Sequence, residues 1–514
     1  MSTLPNGELY TLNPLILLIA ISSAVGETSA SQYGALTRDL TGDPAFVIMI
    51  EDATQLDIQF NAMVNEINPG ARGQTNLLAS IKQPAVFGAW IDLQRPLAIA
   101  CYLEQEKPTF VFAAYVEDFE DKIADAEFVT QDGSCWQIQA DLRSGSPKFY
   151  CLHSGGLVTG STASDWHKKP RCKPLADSLA RGTKSTLTKP VAVYVNPYQL
   201  QTYLDDTVSA AGKHLRRLLG ADKHTSIDRK ILDSVVSSLL AGTKLQTPLL
   251  AGASFDRDGI QITVEMEQPH SAPRNEQQQR PANREMFANL PNDRYLIAAA
   301  SRLPLVARTE ESRPKTFETL LQQVATHATW IEWGITVSPQ GYTSTCFIST
   351  DRPETVTAVT KAYLSATGAT EKVAGPTGEA GQASRMAYQS TDSSSTTTVQ
   401  LVEVSNGLYA VFNSGDGTFE PVNELESSTK YAQLRYVHAA KQSLSENAET
   451  LILIDLSPVV PILARALNMP MPDSPSDAPP ISIALSRFDG RLGVELNVPS
   501  RTIAQFYSYP GTDD

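Results

Sequence analysis

The fold class is decided by two stretches, FYCLHSGGLVTGS at Phe149–Ser161 and LVEVSNGLYAVFNS at Leu401–Ser414. In both, a glycine-containing pair, Gly155-Gly156 or Asn406-Gly407, separates two runs of apolar and β-branched residues. Such pairs favour two-residue hairpin turns because both turn positions adopt positive φ. Each stretch therefore predicts two antiparallel strands joined by a tight turn.

Similar patterns recur in the same order on either side of these hairpins, which suggests internal duplication. The matching stretches are the strand Pro44–Ile50, followed by a helical stretch Gln55–Ile67, and the strand Tyr295–Ala300; the hairpin strands Pro96–Leu103 and Thr109–Tyr115 and their counterparts Trp333–Val337 and Tyr342–Ser349; and the strands Val191–Val195 and Ile452–Leu456, each leading into a helix that runs to Leu204 or Leu467. We therefore predict an α+β fold with two internally duplicated halves, Asp43–Glu267 and Met286–Pro499. Each half is expected to be a mainly antiparallel, hairpin-rich sheet with a few helices packed on it.

The rest of the chain falls into connecting segments. Residues 268–285 are rich in Pro and Gln and lack an apolar period, which predicts a linker or exposed loop. Residues 500–514 are expected to form a tail. Leucines and isoleucines recur at mostly helical spacing within Tyr203–Leu245, so additional helix is expected there.

The N-terminus carries an apolar run, Leu12–Val25, followed by small residues. Its length is typical of a signal-peptide apolar region and short for a membrane span. We therefore predict a signal-peptide-like segment over residues 1–31 and an extracytoplasmic protein, periplasmic or secreted. The preceding residues include Glu8 and no Lys or Arg, so a misassigned start or a buried helix in a cytoplasmic protein stays open.

Composition bounds the function. The 514 residues carry 42 Lys and Arg against 56 Asp and Glu, a formal net charge of −14. A nucleic-acid binder needs a basic face that neutralises phosphates, so we expect no nucleic-acid partner. After the N-terminal segment there is no second long apolar run, so we expect no further membrane-spanning segment.

Cofactor and metal motifs are not found in the sequence. No phosphate-binding or dinucleotide-binding glycine loop follows a strand, and no G-x-S-x-G turn is present. The five cysteines form no C-x-x-C pair, so we expect no zinc site. One disulfide among the first four is possible in an exported protein. We expect most of the cysteines to be buried small apolar residues.

Three local patterns have a chemical interpretation and a structural alternative. Asp256-Arg257-Asp258-Gly259 resembles part of a calcium loop, but its continuation favours a hairpin turn. His153 lies in an alternating strand near Cys151, and we interpret it as a strand residue rather than a metal ligand. The aromatic stretch Trp330–Trp333 either lines a ligand surface or caps a core. We predict no catalytic, cofactor-binding or metal residue.

One resemblance to known proteins is visible. Leu290-Pro291-Asn292-Asp293 leads into the apolar strand Tyr295–Ala300. This unit resembles the repeated Leu-Pro-x-Asp strand–helix units of uncharacterised bacterial exported proteins, including those of planctomycetes. The resemblance implies an extracytoplasmic location and supplies neither an activity nor site residues.

These observations favour a non-enzymatic exported binding or scaffold protein. Its ligand is expected to be a protein, a lipid or an envelope component. The alternative is an extracytoplasmic hydrolase with an unrecognised site between the halves. A binding protein predicts an apolar groove or patch, whereas a hydrolase predicts converging titratable groups in a pocket.

Overall fold

The computed structural model describes a large part of the chain. The described residues are 33, 36–37, 40, 43–68, 90–103, 109–124, 129–138, 149–161, 175, 179, 184–187, 189–199, 247–267, 286–303, 317–338, 341–372, 385–392, 395–415, 430–442, 444, 448–458, 478–488 and 491–507. Predictions for the signal-like segment at 1–31, the linker at 268–285 and the helical stretch at 203–245 concern residues outside these ranges. The chain divides into two compact units.

The first unit contains an antiparallel sheet. Its strands are β1 Phe46–Ile50, β2 Leu97–Tyr102, β3 Thr109–Tyr115, β4 Val129–Asp132, β5 Cys135–Ile138, β6 Phe149–Leu152, β7 Leu157–Ser161, β8 Val191–Val195, β9 Leu249–Asp256, β10 Gly259–Glu267 and β20 Arg491–Pro499. They pair in the order β4-β5-β6-β7-β3-β2-β1-β8-β9-β10-β20. The helices are α1 Ala53–Ile67, α2 Phe119–Ala124, α3 Lys184–Leu187 and α7 Ser500–Tyr507.

The second unit is also built on antiparallel strands. These are β11 Ile297–Arg302, β12 Ala328–Ser338, β13 Gly341–Thr350, β14 Thr370–Lys372, β15 Arg385–Asp392, β16 Ser395–Val404, β17 Gly407–Gly415, β18 Thr450–Ile454 and β19 Ile481–Phe488. They pair in the order β14-β15-β16-β17-β13-β12-β11-β18-β19. The helices are α4 Phe317–Ala325, α5 Pro353–Ala366 and α6 Arg435–Gln442.

The predicted α+β fold of two duplicated halves with helices packed on each sheet is wrong. Among the described residues, 50% lie in strands, which are mostly antiparallel, and 27% lie in helices. Strand β20, expected in the second half, pairs with β10 from Gly259↔Pro499 to Glu267↔Arg491. Local hairpin signals do not reveal such a pairing, because its two strands are far apart in the sequence.

A buried ion pair supports the β10–β20 register. The Nη1 atom of Arg491 lies 3.2 Å from Oε2 of Glu265, and only 4% of the Glu265 side chain is exposed. The hydroxyl of Thr186 donates to the other carboxylate oxygen of Glu265. Because a buried carboxylate needs such partners, sliding β20 along β10 would leave its charge uncompensated.

Several local predictions are confirmed. Strands Thr109–Tyr115 and Val191–Val195 have the predicted bounds. The predicted helix Gln55–Ile67 is α1, which begins two residues earlier because Asp52 accepts a hydrogen bond from the Gln55 amide at 2.9 Å. Gly155 and Gly156 adopt the predicted positive φ of 76° and 77°. The second hairpin forms around Asn406 without positive φ at Asn406 or Gly407.

A glycine at the β9–β10 turn tests the position of β20. Gly259 has a φ of 146°, and a Cβ there would press on the Val498 carbonyl oxygen and lie 2.8 Å from the Pro499 Cα. A Cβ added to Gly133, which has a φ of 62°, would meet nothing within 4 Å. We expect Gly133→Ala to cost about 1–2 kcal/mol, the backbone penalty alone. Gly259→Ala should cost about 2–4 kcal/mol, because a steric clash adds to that strain.

The free energies come from urea unfolding of both variants and the wild type. Equal losses for the two glycines would contradict the packing of β20 against the turn.

Candidate functional site

Four adjacent strands of the second unit, β12, β11, β18 and β19, present two different faces. Side chains alternate along each strand, so one set points to one face and its neighbours to the other. On the first face, Ala298, Ala300, Leu451, Leu453 and Ala484 are at most 1% exposed. They form a core with residues of α6 and of the segment before β11.

The opposite face of the same strands is apolar but only partly buried. The pairings of β12 with β11, β11 with β18 and β18 with β19 place its side chains next to one another. We name this surface the isoleucine face, and its residues are Ile297, Ala299, Ile331, Trp333, Ile335, Ile452, Ile454, Ile481, Ile483 and Leu485. A contiguous apolar surface that stays partly exposed is a signature of a binding site.

The positions of helices α4 and α5 explain where the isoleucine face begins. Beyond β12, the same side of the sheet is covered by α4 and α5, where Leu320, Val324 and Val356 pack with Cys346 and Ile348 in a buried core. Ile331 and Trp333 lie at the border of that core. The Trp333 indole nitrogen donates to Ser344 Oγ at 2.7 Å, so its ring offers an apolar surface and no available donor.

One end of the isoleucine face is polar. Ser301 and Thr450 are paired across β11 and β18, with their hydroxyl oxygens 2.7 Å apart. Arg487 follows Leu485 on the same side of β19, and its Nε lies 3.8 Å from a carboxylate oxygen of Glu449. We name Ser301, Thr450, Glu449 and Arg487 the polar end.

A buried carboxylate on the opposite face holds the chain segment that enters β11. Glu332 of β12 has no exposed surface. It accepts hydrogen bonds from the backbone amides of Ala288 (3.1 Å), Asn289 (2.8 Å) and Leu290 (3.1 Å), and from the Trp330 indole at 3.2 Å. These bonds compensate the loss of hydration of a buried charge and hold the chain that enters β11.

Lys441 of α6 also contacts the segment that precedes β11. Its ammonium donates to the Met286 carbonyl at 3.0 Å. Burial lowers the pKa of Lys441, and the nearby Glu332 opposes that shift. Burial raises the pKa of Glu332, and the hydrogen bonds from Asn289, Trp330 and Leu290 oppose the rise. The geometry therefore describes a carboxylate that secures a loop, with all its bonding directed at the protein itself.

The patterns weighed in the sequence have structural roles. The hairpin-turn interpretation of Asp256–Gly259 is confirmed, because the Asp256 carboxylate accepts from the amides of Asp258 at 2.9 Å and Gly259 at 3.1 Å. The His153 Nε2 atom lies 2.7 Å from Thr159 Oγ1. Trp330 and Trp333 each pack at the edge of a core, and Trp333 also belongs to the isoleucine face.

Sequence reasoning missed the isoleucine face and Glu332. Strand β18 reads TLILI, with apolar residues at both alternating sets of positions. Such a strand predicts two apolar faces, and nothing in it tells which face is left partly open. Glu332 stands between Ile331 and Trp333, and a lone acid in an apolar strand is a recognisable signal of a buried carboxylate with protein partners.

Two further findings concern the residues that the structure describes. Within them, no helix has the length and apolar character needed to cross a membrane. His, Cys, Asp and Glu side chains in the same ranges form no group of three suited to a metal ion.

Comparisons with known proteins give little. No protein-family profile matches the sequence, and no curated protein does. Among solved structures, "Structure of crystal form I of TP0453" matches with a TM-score of 0.23 and 10% identity, over 45% of this chain and 97% of that chain. Crystal form III of TP0453 matches with a TM-score of 0.21 and 10% identity, over 49% of this chain and 86% of that one. At such TM-scores we base no assignment on the likeness.

The pH dependence of stability tests the environment of Glu332. Its folded pKa is raised above the ordinary value, so the folded state holds the proton more tightly than the unfolded state does. That stability is complete below the unfolded pKa of about 4.3 and is lost as pH rises through the folded pKa. The loss is about 1.4 kcal/mol for each unit of the rise. The free energy of unfolding of wild type, relative to Glu332→Gln, should therefore fall with pH across this window.

Urea unfolding at a series of pH values measures this difference. Glu66→Gln, at an exposed position of α1, serves as the control for the removal of a carboxylate. A wild type that gains stability relative to Glu332→Gln as pH rises would show that the amide hydrogen bonds outweigh burial.

Proposed function

We propose that this chain is an extracytoplasmic binding protein that holds an apolar ligand on the isoleucine face. The observation that carries the proposal is the partial exposure of ten neighbouring side chains that bear no charge. The other side of the same strands is fully packed, so the asymmetry is not a general looseness of the unit. Partly exposed apolar surface gains free energy when a ligand displaces its water.

The size of the face sets the expected affinity. Four strands about 4.8 Å apart and five residues at about 3.4 Å rise give a surface of roughly 330 Å². At about 25 cal/mol per Å², covering it contributes at most about 8 kcal/mol. The cost of immobilising the ligand offsets part of this gain, so the proposal implies weak to moderate binding.

A disulfide in the first unit supports the proposed extracytoplasmic location. Cys135 and Cys151 face each other across β5 and β6 and are joined by a bond. Disulfides persist in oxidising compartments and are rare in the cytosol. Together with the apolar N-terminal run of the sequence, this bond supports export.

Binding can be tested with N-phenyl-1-naphthylamine, a neutral probe whose fluorescence rises in apolar surroundings. We expect saturable binding to the full chain. Ile452→Thr, at the centre of the face, should weaken it about five- to thirty-fold, because a hydroxyl replaces the ethyl group that would contact the probe. Ile58→Thr is the matched control, since Ile58 is 58% exposed on α1 of the other unit. Equal affinity for both variants would refute the isoleucine face as the site.

The compartment can be tested on protein taken from native cells by rapid acid quenching and alkylation. Peptide mass mapping should find Cys135 joined to Cys151 and a mature N-terminus after the apolar run. Cys101 and Cys346 should react only after unfolding, because burial raises the pKa of each thiol to about 12. Reduction should cost about 3 kcal/mol, as expected for a loop closed over a separation of 16 residues. Free Cys135 and Cys151 in the quenched sample would contradict export.

A further inference from the structure

The dimensions of the isoleucine face bear on what covers it. A stable protein–protein interface buries about 800 Å² on each partner, whereas this face offers roughly 330 Å². A second copy of the chain or another globular protein would need a much larger surface. A small ligand with an aliphatic body matches both the area and the chemistry of the face.

The hydroxyl pair of the polar end has a defined hydrogen-bonding capacity. Ser301 Oγ donates to the Arg302 carbonyl oxygen at 3.3 Å. Either hydroxyl can be the donor in the 2.7 Å contact between Ser301 and Thr450. Each hydroxyl has one hydrogen and two lone pairs, and their contact uses one of each, so the pair keeps three lone pairs and one hydrogen. A ligand group that both donates and accepts, such as a hydroxyl, fits this end.

The charges of the polar end favour an uncharged ligand head. The Arg487 guanidinium already faces the Glu449 carboxylate at 3.8 Å, and the Arg487 side chain is 52% exposed. The two charges compensate each other, and the chain as a whole carries a formal charge of −14. A carboxylate or phosphate head would meet the Glu449 charge and acceptor oxygens, and it would be repelled by the protein at long range.

We infer that the ligand is a neutral lipid of the monoacylglycerol type, with its aliphatic chain on the isoleucine face and a head hydroxyl donating to Ser301 or Thr450. This inference rests on the proposed function, because it names the class of ligand for the same surface. It accounts for the juxtaposition of ten apolar side chains with a pair of hydroxyls at one end of the face.

The test compares two ligands of equal chain length on the full chain. Monododecanoylglycerol and dodecanoate are titrated below their micellar concentrations, by displacement of N-phenyl-1-naphthylamine and by calorimetry. Ser301→Ala and Thr450→Val remove the acceptors, and Arg435→Gln, at an exposed position of α6, is the charge control. Direct binding of the naphthylamine to each variant reports whether the apolar surface is intact.

We expect monododecanoylglycerol to bind more tightly than dodecanoate. Each hydroxyl variant should weaken it about two- to ten-fold, the effect of one hydrogen bond, while naphthylamine binding is unchanged. Arg435→Gln should change neither ligand.

The outcomes that would contradict the inference distinguish an error in the ligand class from an error in the binding site. Dodecanoate binding as tightly as the glycerol ester, or hydroxyl variants that leave the ester unaffected, would overturn the lipid class and leave the apolar site standing. If neither lipid nor naphthylamine binds, the site itself is refuted. Concentration-dependent dimerisation in sedimentation, abolished by Ile452→Thr, would assign the face to a second copy and overturn both proposals.

Discussion

The second unit depends on the register between β11 and β18. In the observed pairing, Ala298 and Ala300 lie beside Leu453 and Leu451, and all four are fully buried. A slip of one residue would exchange the two faces of every strand involved. Isoleucines would then enter a core that is packed around alanines, at a cost of overpacking. The register is therefore fixed by volume as much as by hydrogen bonding.

Glu332 of β12, paired with Ala300, adds a polar constraint to the neighbouring register of β12 with β11. It points to the fully buried face, where the chain from Ala288 to Leu290 directs its amides at the carboxylate. In a slipped register the carboxylate would lie on the isoleucine face, and those amides would lose their acceptor. Phe287, just before them, is buried with a positive φ of 64°, a strained conformation held by its surroundings. A buried charge here specifies one arrangement rather than adding net stability.

The partly open face follows from where the helices lie. Helices α4 and α5 cover β13, β16 and β17, and the core they form ends near Trp333. The strands beyond it carry apolar side chains on both faces, but those of the isoleucine face stay partly exposed. A surface of this kind is costly in water, which is why we attribute a ligand to it rather than a purely structural role. The hydroxyls of Ser301 and Thr450 make one end of this surface polar.

The sequence by itself determined the local elements. Asp52 ahead of α1, the glycine pair at 155 and 156, and the β-branched run Val191–Val195 act within a few residues, so their helix, turn and strand were predictable. The tertiary structure decided the pairing of β20 with β10, the placement of Glu332 and the partial exposure of Ile452 and its neighbours. These depend on which distant segment covers each face, and a strand such as TLILI is equally apolar on both sides. The distant segments that pack on each strand determine which of its two faces is buried, and no local pattern encodes them.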